Sequence, residues 1–300
     1  GRRCTGTTEQ CPVRATGGSG ATGTRPSGYG VRTRRGGGVD SGVTLLDVQD
    51  VTVKFGGIVA LNGLSFTIEE GHICGLIGPN GAGKTTMFNV VSRIYQPTSG
   101  SVRYRDKELL QVPAHGIAKL GIARTFQNLA LFPSMSLLEN VMVGAHSQGK
   151  IGFGRAISRI GAAADNRRTR DFAGDLLTQL GLGELAFRPA AGLPFGTLKR
   201  LEIARALASR PSFLLMDEPA AGLTHGEVDE LGETIVTIRN QFALTVLLVE
   251  HHMSMVMSIS DRVVAMEFGR KIAEGTPAEV QKNERVIQAY LGAAAVGEVN

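Results

Sequence analysis

The segment at residues 78–85 fits the pattern G-x-x-x-x-G-K-[ST] at every fixed position. The apolar residues 72–77 before it predict a buried strand, and residues 87–95 after it predict a helix. Glycines at this junction let successive backbone N–H groups face an anion at the N-terminus of the helix. The sequence therefore predicts a phosphate-binding loop between a strand and a helix.

Nucleotide contacts are expected from this loop and from the residue that follows it. The Lys84 ammonium is expected to reach the β- and γ-phosphates, and the Thr85 hydroxyl is placed to bind Mg²⁺. The predicted nucleotide-binding set is Gly78, Pro79, Asn80, Gly81, Ala82, Gly83, Lys84, Thr85 and Thr86.

Two adjacent carboxylates follow a second apolar strand, predicted at residues 213–216. Consecutive residues at the end of a strand point in different directions. Asp217 is therefore expected to complete the Mg²⁺ site, while Glu218 faces the γ-phosphate and polarises the attacking water.

From residue 44 onward, apolar runs alternate with helical patterns, which predicts an α/β domain with a largely parallel sheet. Residues 245–249 predict a further core strand, and residues 137–187 have a helical texture. The phosphate-loop pattern occurs once, and no repeat of fixed period is visible.

Residues 1–42 are rich in Gly, Arg, Thr and Ser without apolar periodicity, so we predict a disordered basic tail. This tail accounts for the whole net charge of +5; its charged residues are Arg2, Arg3, Glu9, Arg14, Arg25, Arg32, Arg34, Arg35 and Asp40. The remaining chain is neutral overall, so no nucleic-acid partner is expected. Because the chain begins at Gly1 rather than Met, a tag, a fragment or a mistaken start explains the segment better than a tail with its own partner.

The cysteines and the apolar runs favour a cytoplasmic protein without a membrane span. Cys4, Cys11 and Cys74 match neither a disulfide framework nor a zinc site, which favours a reducing compartment. No apolar run is long enough for a transmembrane helix. Any membrane role would therefore depend on partners.

A short block before the acidic strand decides between families of phosphate-loop proteins. No asparagine is followed by lysine, so the guanine-reading N-K-x-D segment of GTPases is absent. The block instead opens a helix predicted at residues 198–209, and it resembles the L-S-G-G-Q signature of ABC (ATP-binding cassette) ATPases. That signature presents a helix N-terminus to ATP held on the opposite subunit. Its residues here are Leu193, Pro194, Phe195, Gly196 and Thr197.

Further positions resemble ABC landmarks in order and spacing, over about residues 45–292. Phe55 resembles the aromatic residue that stacks on adenine, and Gln127 resembles the glutamine that touches Mg²⁺ and links the site to the helical subdomain. Residues 221–224 resemble the loop that crosses the dimer interface. His251 resembles the histidine that contacts the γ-phosphate beside the catalytic glutamate, here Glu218. A core role for Phe55 and a structural role for His251 are the alternatives.

The resemblance implies an α/β fold, namely a phosphate-loop ABC ATPase domain with a RecA-like core, an antiparallel β subdomain and an inserted helical subdomain. The expected organisation is a tail at residues 1–42, an ATPase domain at 43–292 and a C-terminal tail at 293–300. The helical subdomain is expected at about residues 128–190.

Longer strings resemble the ATPases of branched-chain amino acid importers, in the group with the longer helical insert; they lie at residues 193–196, 200–207, 217–223, 269–277 and 286–292. This resemblance implies hydrolysis of ATP with Mg²⁺, coupled to import of Leu, Ile, Val or a related small solute. It also implies a second, different ATPase subunit, two membrane permeases and a separate solute-binding protein. The expected location is the cytoplasmic face of the cell membrane, through the permeases.

The signature and the interface loop depart from the usual pattern of that group. Pro194 removes the signature serine hydroxyl, although this group often has proline there. Thr197 and Leu198 stand where glutamines are usual, and Thr224 stands where an acid or amide is usual. Because the signature serves the ATP of the other subunit, the two ATP sites of a dimer need not be equal.

Two other functions remain open from the sequence. A soluble ABC ATPase acting on nucleic acid or ribosomes commonly has two ATPase domains or a long coiled-coil insert, and neither pattern is found here. A non-catalytic regulatory module is disfavoured by Glu218 and His251. The transported solute cannot be read from this chain, because the solute does not touch this subunit.

We predict that deletion of residues 1–42 leaves folding, ATP binding and hydrolysis nearly unchanged, because this segment carries no motif and little apolar surface. Thermal melting and ATPase assays of the truncated and full-length chains test this. A large fall in either measurement would show that the segment packs on the domain or acts in it.

Overall fold

The computed structural model describes residues 42–125, 130–145 and 159–297. The strands are β1 (Thr44–Phe55), β2 (Ile58–Glu69), β3 (Ile73–Ile77), β4 (Ser99–Tyr104), β5 (Lys107–Glu108), β6 (Ile122–Arg124), β7 (Phe213–Asp217), β8 (Thr245–Val249), β9 (Arg262–Glu267) and β10 (Arg270–Gly275). The α-helices are α1 (Lys84–Val91), α2 (Leu137–Ala145), α3 (Arg159–Gln179), α4 (Phe195–Ala208), α5 (His225–Phe242), α6 (Met253–Ile259), α7 (Pro277–Gln281) and α8 (Glu284–Gly297). Within those ranges, no helix combines the length and apolar character needed to cross a bilayer.

A six-stranded sheet in the order β10-β9-β3-β8-β7-β6 forms the centre of the molecule. Its strands pair in parallel from β9 to β6, and β10 joins the edge antiparallel. The strands β3, β7 and β8 are buried at every position, as expected for a sheet covered on both faces. The predicted α/β fold with a largely parallel sheet is confirmed.

Side-chain alternation along these strands divides the interior into two apolar cores. Leu214 and Met216 of β7 belong to the core formed with the helices α2 to α6. Phe213 and Leu215 of the same strand belong to the core formed with α1 and the second sheet. Because successive side chains of a strand point to opposite faces, one short strand contributes to both cores.

A second, antiparallel sheet in the order β2-β1-β4-β5 covers one face of the central sheet. Its β1–β2 hairpin includes register shifts, and its apolar side chains pack on those of α1. The Tyr104 ring stacks on the Phe213 ring at 6.0 Å between centroids, and the Tyr104 hydroxyl is 2.9 Å from the Ser212 hydroxyl. These contacts fix the second sheet against β7.

The helical part follows β6 in the chain and packs through α2, α3 and α4. Gly144 of α2 lies so close to α4 that a Cβ atom there would be 2.1 Å from the Arg205 carbonyl oxygen. Glycine is therefore needed for this approach. The helical texture predicted at residues 137–187 is confirmed for the described helices α2 and α3.

Helix boundaries differ from the sequence prediction at α1 and α4. α1 occupies Lys84–Val91 rather than residues 87–95, because the chain enters it directly from the loop and leaves it at Arg93, which has a positive φ of 60°. α4 begins at Phe195 rather than residue 198, with Pro194 as its N-cap residue. In both cases the first turn lacks the apolar periodicity on which the prediction depended. The last helix, α8, continues to Gly297, past the boundary predicted at residue 292.

Candidate active site

The candidate site lies at the edge of the central sheet where the parallel strands β3, β7 and β8 end. Val249, the last residue of β8, pairs with Leu76 of β3 on one side and with Asp217 of β7 on the other. The three strands therefore end at the same level. Clefts at the carboxyl ends of parallel strands are the usual ligand sites of open α/β sheets.

The loop at residues 78–83 is packed tightly against the turn between β9 and β10. A Cβ atom at Gly78, where φ is 153°, would lie 2.2 Å from the Met266 carbonyl oxygen. The Gly269 N–H donates to the Ala82 carbonyl at 3.0 Å. The glycine that the pattern requires at position 78 is therefore needed for close approach to a neighbouring backbone as well as for the shape of the loop.

Lys84 lies over this loop at the N-terminus of α1. Its Nζ donates to the carbonyl oxygens of Gly78 at 2.6 Å and Pro79 at 2.9 Å. Burial lowers the pKa of Lys84, and the carboxylates of Glu218 and Asp217 oppose that shift. The ammonium thus remains inside the loop, where phosphate oxygens could replace the carbonyls as its acceptors.

Asp217 ends β7 with its side chain 2% exposed, in an ion pair with Arg124 at 3.2 Å. Burial raises the pKa of Asp217, and the nearby Arg124 guanidinium opposes the rise. Arg124 also donates to the Asn89 side chain at 2.7 Å, and its guanidinium lies 4.6 Å from the centroid of the Phe88 ring. It therefore connects the acidic strand with α1.

Sequence reasoning did not identify Arg124 as a site residue. A basic residue at the end of a short strand, just before Gln127, was the available signal. Its partner Asp217 is 93 residues away in the chain, so the pairing could not be read from sequence spacing.

Glu218 and His251 face each other just beyond the ends of the paired strands β7 and β8. Glu218 Oε1 lies 2.5 Å from His251 Nε2, and the two side chains are 18% and 43% exposed. Glu218 has a positive φ of 48°, and its N–H donates to the Val249 carbonyl at 2.8 Å. This backbone geometry turns Glu218 away from the buried direction taken by Asp217 and leaves it open to water. The structure thus brings together the two predicted catalytic side chains.

The predicted Mg²⁺ ligands all offer oxygen atoms. Asp217 offers a carboxylate and Thr85 a hydroxyl, and hard oxygen ligands suit this ion. In the part of the chain that the structure describes, no group of three or more His, Cys, Asp or Glu side chains could hold a metal. These residues fit an ion that also takes phosphate oxygens and water as ligands. Gln127, the third predicted ligand, lies outside the described residues.

Phe55 ends β1 and is 46% exposed. Its ring makes an edge-to-face contact with the Tyr95 ring, with ring centroids 5.1 Å apart at an interplanar angle of 71°. An aromatic residue that is held by such a contact and still has much of its surface exposed is suited to stacking on a flat base. The core role considered for Phe55 does not agree with this exposure.

The signature residues lead into the first turn of α4, which begins at Phe195, and they lie beside the loop after Glu218. Pro194 provides no side-chain cap for the helix. The first N–H groups of a helix have no acceptor within the helix itself. A Cβ atom at Gly222 would lie 3.2 Å from the Phe195 ring, and one at Gly196 would lie 2.9 Å from the Glu227 carboxylate. The signature turn and the predicted interface loop therefore form one surface.

Thr224, one of the unexpected residues, has a structural explanation. Its backbone N–H donates to Glu227 at 2.9 Å, and its hydroxyl is 2.8 Å from the same carboxylate oxygen. Thr224 and Glu227 thus form a capping box at the start of α5. Thr197 is buried in the first turn of α4, and Leu198 is partly buried against the apolar core that α4 shares with the other helices, a place that suits leucine better than glutamine.

Comparisons with known proteins agree with this geometry. Residues 61–221 match the family model described as ABC transporter, and residues 270–296 match the model described as branched-chain amino acid ATP-binding cassette transporter. The chain is 43% identical over 251 residues to the high-affinity branched-chain amino acid transport ATP-binding protein BraF of Pseudomonas aeruginosa, covering 83% of this chain and 98% of BraF. It is 42% identical to LivG of Escherichia coli K12, with the same coverage.

A solved structure gives the same result. The ADP conformation of MJ1267, an ATP-binding cassette of an ABC transporter, superposes with a TM-score of 0.73 at 28% identity. The match covers 83% of this chain and 99% of MJ1267.

We predict that Glu218→Gln lowers the rate of ATP hydrolysis by at least about 100-fold, because a general base acts on the attacking water. ATP affinity should change little, so the variant should accumulate in an ATP-bound dimer. Steady-state hydrolysis, nucleotide binding and size-exclusion chromatography with ATP measure these effects. Hydrolysis at the parental rate would show that the base has been assigned wrongly.

Proposed function

The chain belongs to the ABC transporter ATP-binding family, and we propose that it is the subunit whose ATP hydrolysis drives import of branched-chain amino acids or a related small solute. Members of this family hydrolyse ATP to power transport. The observation that carries the proposal is the convergence of the phosphate loop, Asp217 and the Glu218–His251 pair at one edge of the sheet. The solute is inferred from the relatives BraF and LivG, whose names assign them to branched-chain amino acid transport.

The residues of the phosphate loop bind and orient ATP in this proposal. Backbone N–H groups of the loop and the Lys84 ammonium hold the phosphates, while Phe55 stacks on the adenine. Thr85 and Asp217 are the described residues that would hold Mg²⁺. When bound, the ion neutralises charge on the β- and γ-phosphates.

Hydrolysis requires a base and a group that keeps it oriented. Glu218 is proposed to accept the proton of the water that attacks the γ-phosphate. His251, 2.5 Å from the Glu218 carboxylate, is proposed to orient it and to contact the γ-phosphate. Because both side chains are partly exposed, water and nucleotide can reach them.

The signature surface is proposed to complete the ATP site of a second ATPase subunit. The uncapped N-terminus of α4 offers N–H groups at the positive end of the helix dipole, which suits a γ-phosphate. Thr197 and Leu198 alter the side chains of this turn. The two sites of the dimer are therefore proposed to differ in rate.

The partners follow from the family. ABC ATP-binding subunits work with membrane permeases, and such subunits are membrane-associated. We propose two permeases, a second and different ATPase subunit and a separate solute-binding protein, with this chain on the cytoplasmic face of the membrane. The alternative hypothesis, a soluble ATPase acting on nucleic acid or ribosomes, is disfavoured by the 43% identity to BraF.

The segment at residues 129–133 is proposed as the permease-docking surface. Leu129 lies outside the described residues, but Phe132 is 44% exposed. The buried Asn140 side chain accepts from the Phe132 N–H at 2.8 Å and donates to the Phe132 carbonyl at 3.0 Å. Arg205 of α4 donates to the Ala130 carbonyl. An apolar side chain on a backbone held in this way is suited to transmit a permease movement.

We predict that ATPase activity per subunit is low for the isolated chain at dilutions where it is monomeric, and rises when the second ATPase subunit and the permeases are added. The reason is that the signature of one chain completes the site of the other. The measurement is ATPase activity against subunit concentration, alone and with the partners. High and constant activity in the monomeric range would contradict the shared site.

We predict that Phe132→Ala uncouples the assembled transporter, so that solute uptake per ATP hydrolysed falls while the chain stays folded. Removing an exposed side chain leaves the core intact, whereas it removes the proposed permease contact. Phe187→Ala is the matched control, since Phe187 is an exposed phenylalanine outside the docking segment. Equal uptake per ATP in both variants would contradict the assignment.

A further inference from the structure

Glu250 is a buried carboxylate to which the sequence reasoning gave no role. Glu250 follows β8 directly and is only 1% exposed. One carboxylate oxygen accepts the Ala220 N–H at 2.6 Å. The other accepts the His251 N–H at 2.9 Å and the His252 N–H at 3.4 Å.

These hydrogen bonds join the two loops that carry the candidate catalytic pair. Ala220 lies two residues after Glu218, and His251 is the residue directly after Glu250. A second link between the same two segments is the hydrogen bond from the Glu218 N–H to the Val249 carbonyl at 2.8 Å. The backbones that bear Glu218 and His251 are therefore fixed to each other twice.

Two acceptor oxygens are what this position requires. The donors come from two different loops, so each loop needs an oxygen of its own. A glutamine has the same shape, but it would turn its NH₂ group toward one of those N–H donors. Burial of a carboxylate is costly unless it is well hydrogen-bonded, so such a residue persists where its bonds are needed.

Among the described residues, main-chain N–H groups rather than a basic side chain donate hydrogen bonds to Glu250. These hydrogen bonds therefore position the backbones of two loops. The side chains that those loops carry, Glu218 and His251, lie 2.5 Å apart. A displacement of about 1 Å at reacting groups can lower a rate about 100-fold.

We propose that Glu250 is a positioning residue for hydrolysis, which holds the loops of Glu218 and His251 at the separation that their side chains need. Glu250 does not touch the nucleotide in this role; it acts through the two side chains. The inference rests on the roles proposed above for Glu218 and His251.

The test compares Glu250→Gln with Glu274→Gln in the full chain within the assembled transporter. Glu274 is a half-buried glutamate on the edge strand β10, with Lys271 at 2.6 Å and Arg262 at 3.5 Å. Glu250→Gln should lower kcat about tenfold or more while the Kd for a fluorescent ATP analogue stays within about twofold. Glu274→Gln should leave both quantities near the parental values.

A double-variant comparison separates positioning from a general effect on stability. If Glu250 acts through His251, then Glu250→Gln should cost little further kcat when added to His251→Ala. Hydrogen exchange supplies a readout independent of activity: Glu250→Gln should speed exchange in peptides covering residues 217–224 and 249–254, with the strand β3 unchanged. Glu250→Asp keeps the charge on a shorter side chain that cannot reach both loops in the same way. If this variant has the parental kcat, hydrogen bonds to both loops are not needed and the inference is wrong.

The outcomes are distinct. A kcat for Glu250→Gln equal to that of Glu274→Gln, a loss of ATP affinity equal to the loss of kcat, or fully multiplicative effects with His251→Ala would each overturn the inference. Glu218→Gln, measured in parallel, tests the proposed function instead: if it retains hydrolysis, the catalytic assignment fails whatever Glu250→Gln does.

Discussion

The parallel pairing of β8 with β3 on one side and β7 on the other determines where every candidate catalytic group lies. Val249 pairs with both Leu76 and Asp217, so the phosphate loop, the carboxylate pair and His251 all begin at one level of the sheet. Five buried residues in each strand supply the apolar contacts that keep this pairing in register. Without that register, groups from three distant parts of the chain would not meet.

Charged groups collect at this edge, and each has a defined set of acceptors or donors. Lys84 is held by two loop carbonyls, and Asp217 by Arg124. Glu250 is held by main-chain N–H groups. Buried charges are tolerated when they are paired or well hydrogen-bonded, and these contacts also fix the direction of each group. In the proposed function, phosphate oxygens of ATP would replace the loop carbonyls as acceptors of the Lys84 ammonium.

The helical part and the signature turn form the face that is proposed to serve the ATP site of a second subunit. Phe195 packs by Gly222, and the capping box of Thr224 and Glu227 fixes the start of α5 beside them. The uncapped N-terminus of α4 is the chemical feature of that face. A helix N-terminus without a side-chain cap, placed beside the predicted interface loop, is consistent with the proposed site shared between two subunits.

The sequence by itself determined the fold class, the phosphate loop, the acidic pair and the family, because each depends on residues close together in the chain whose types and spacing are restricted by local geometry. It located α1 and α4 but not their first turns, since capping and loop residues have no apolar period. Only the tertiary structure decided that Arg124 pairs with Asp217, 93 residues away, and that Glu250 joins the loops of Glu218 and His251. Those contacts are made between separate strands, and their partners are selected by sheet order and register, which no local pattern encodes.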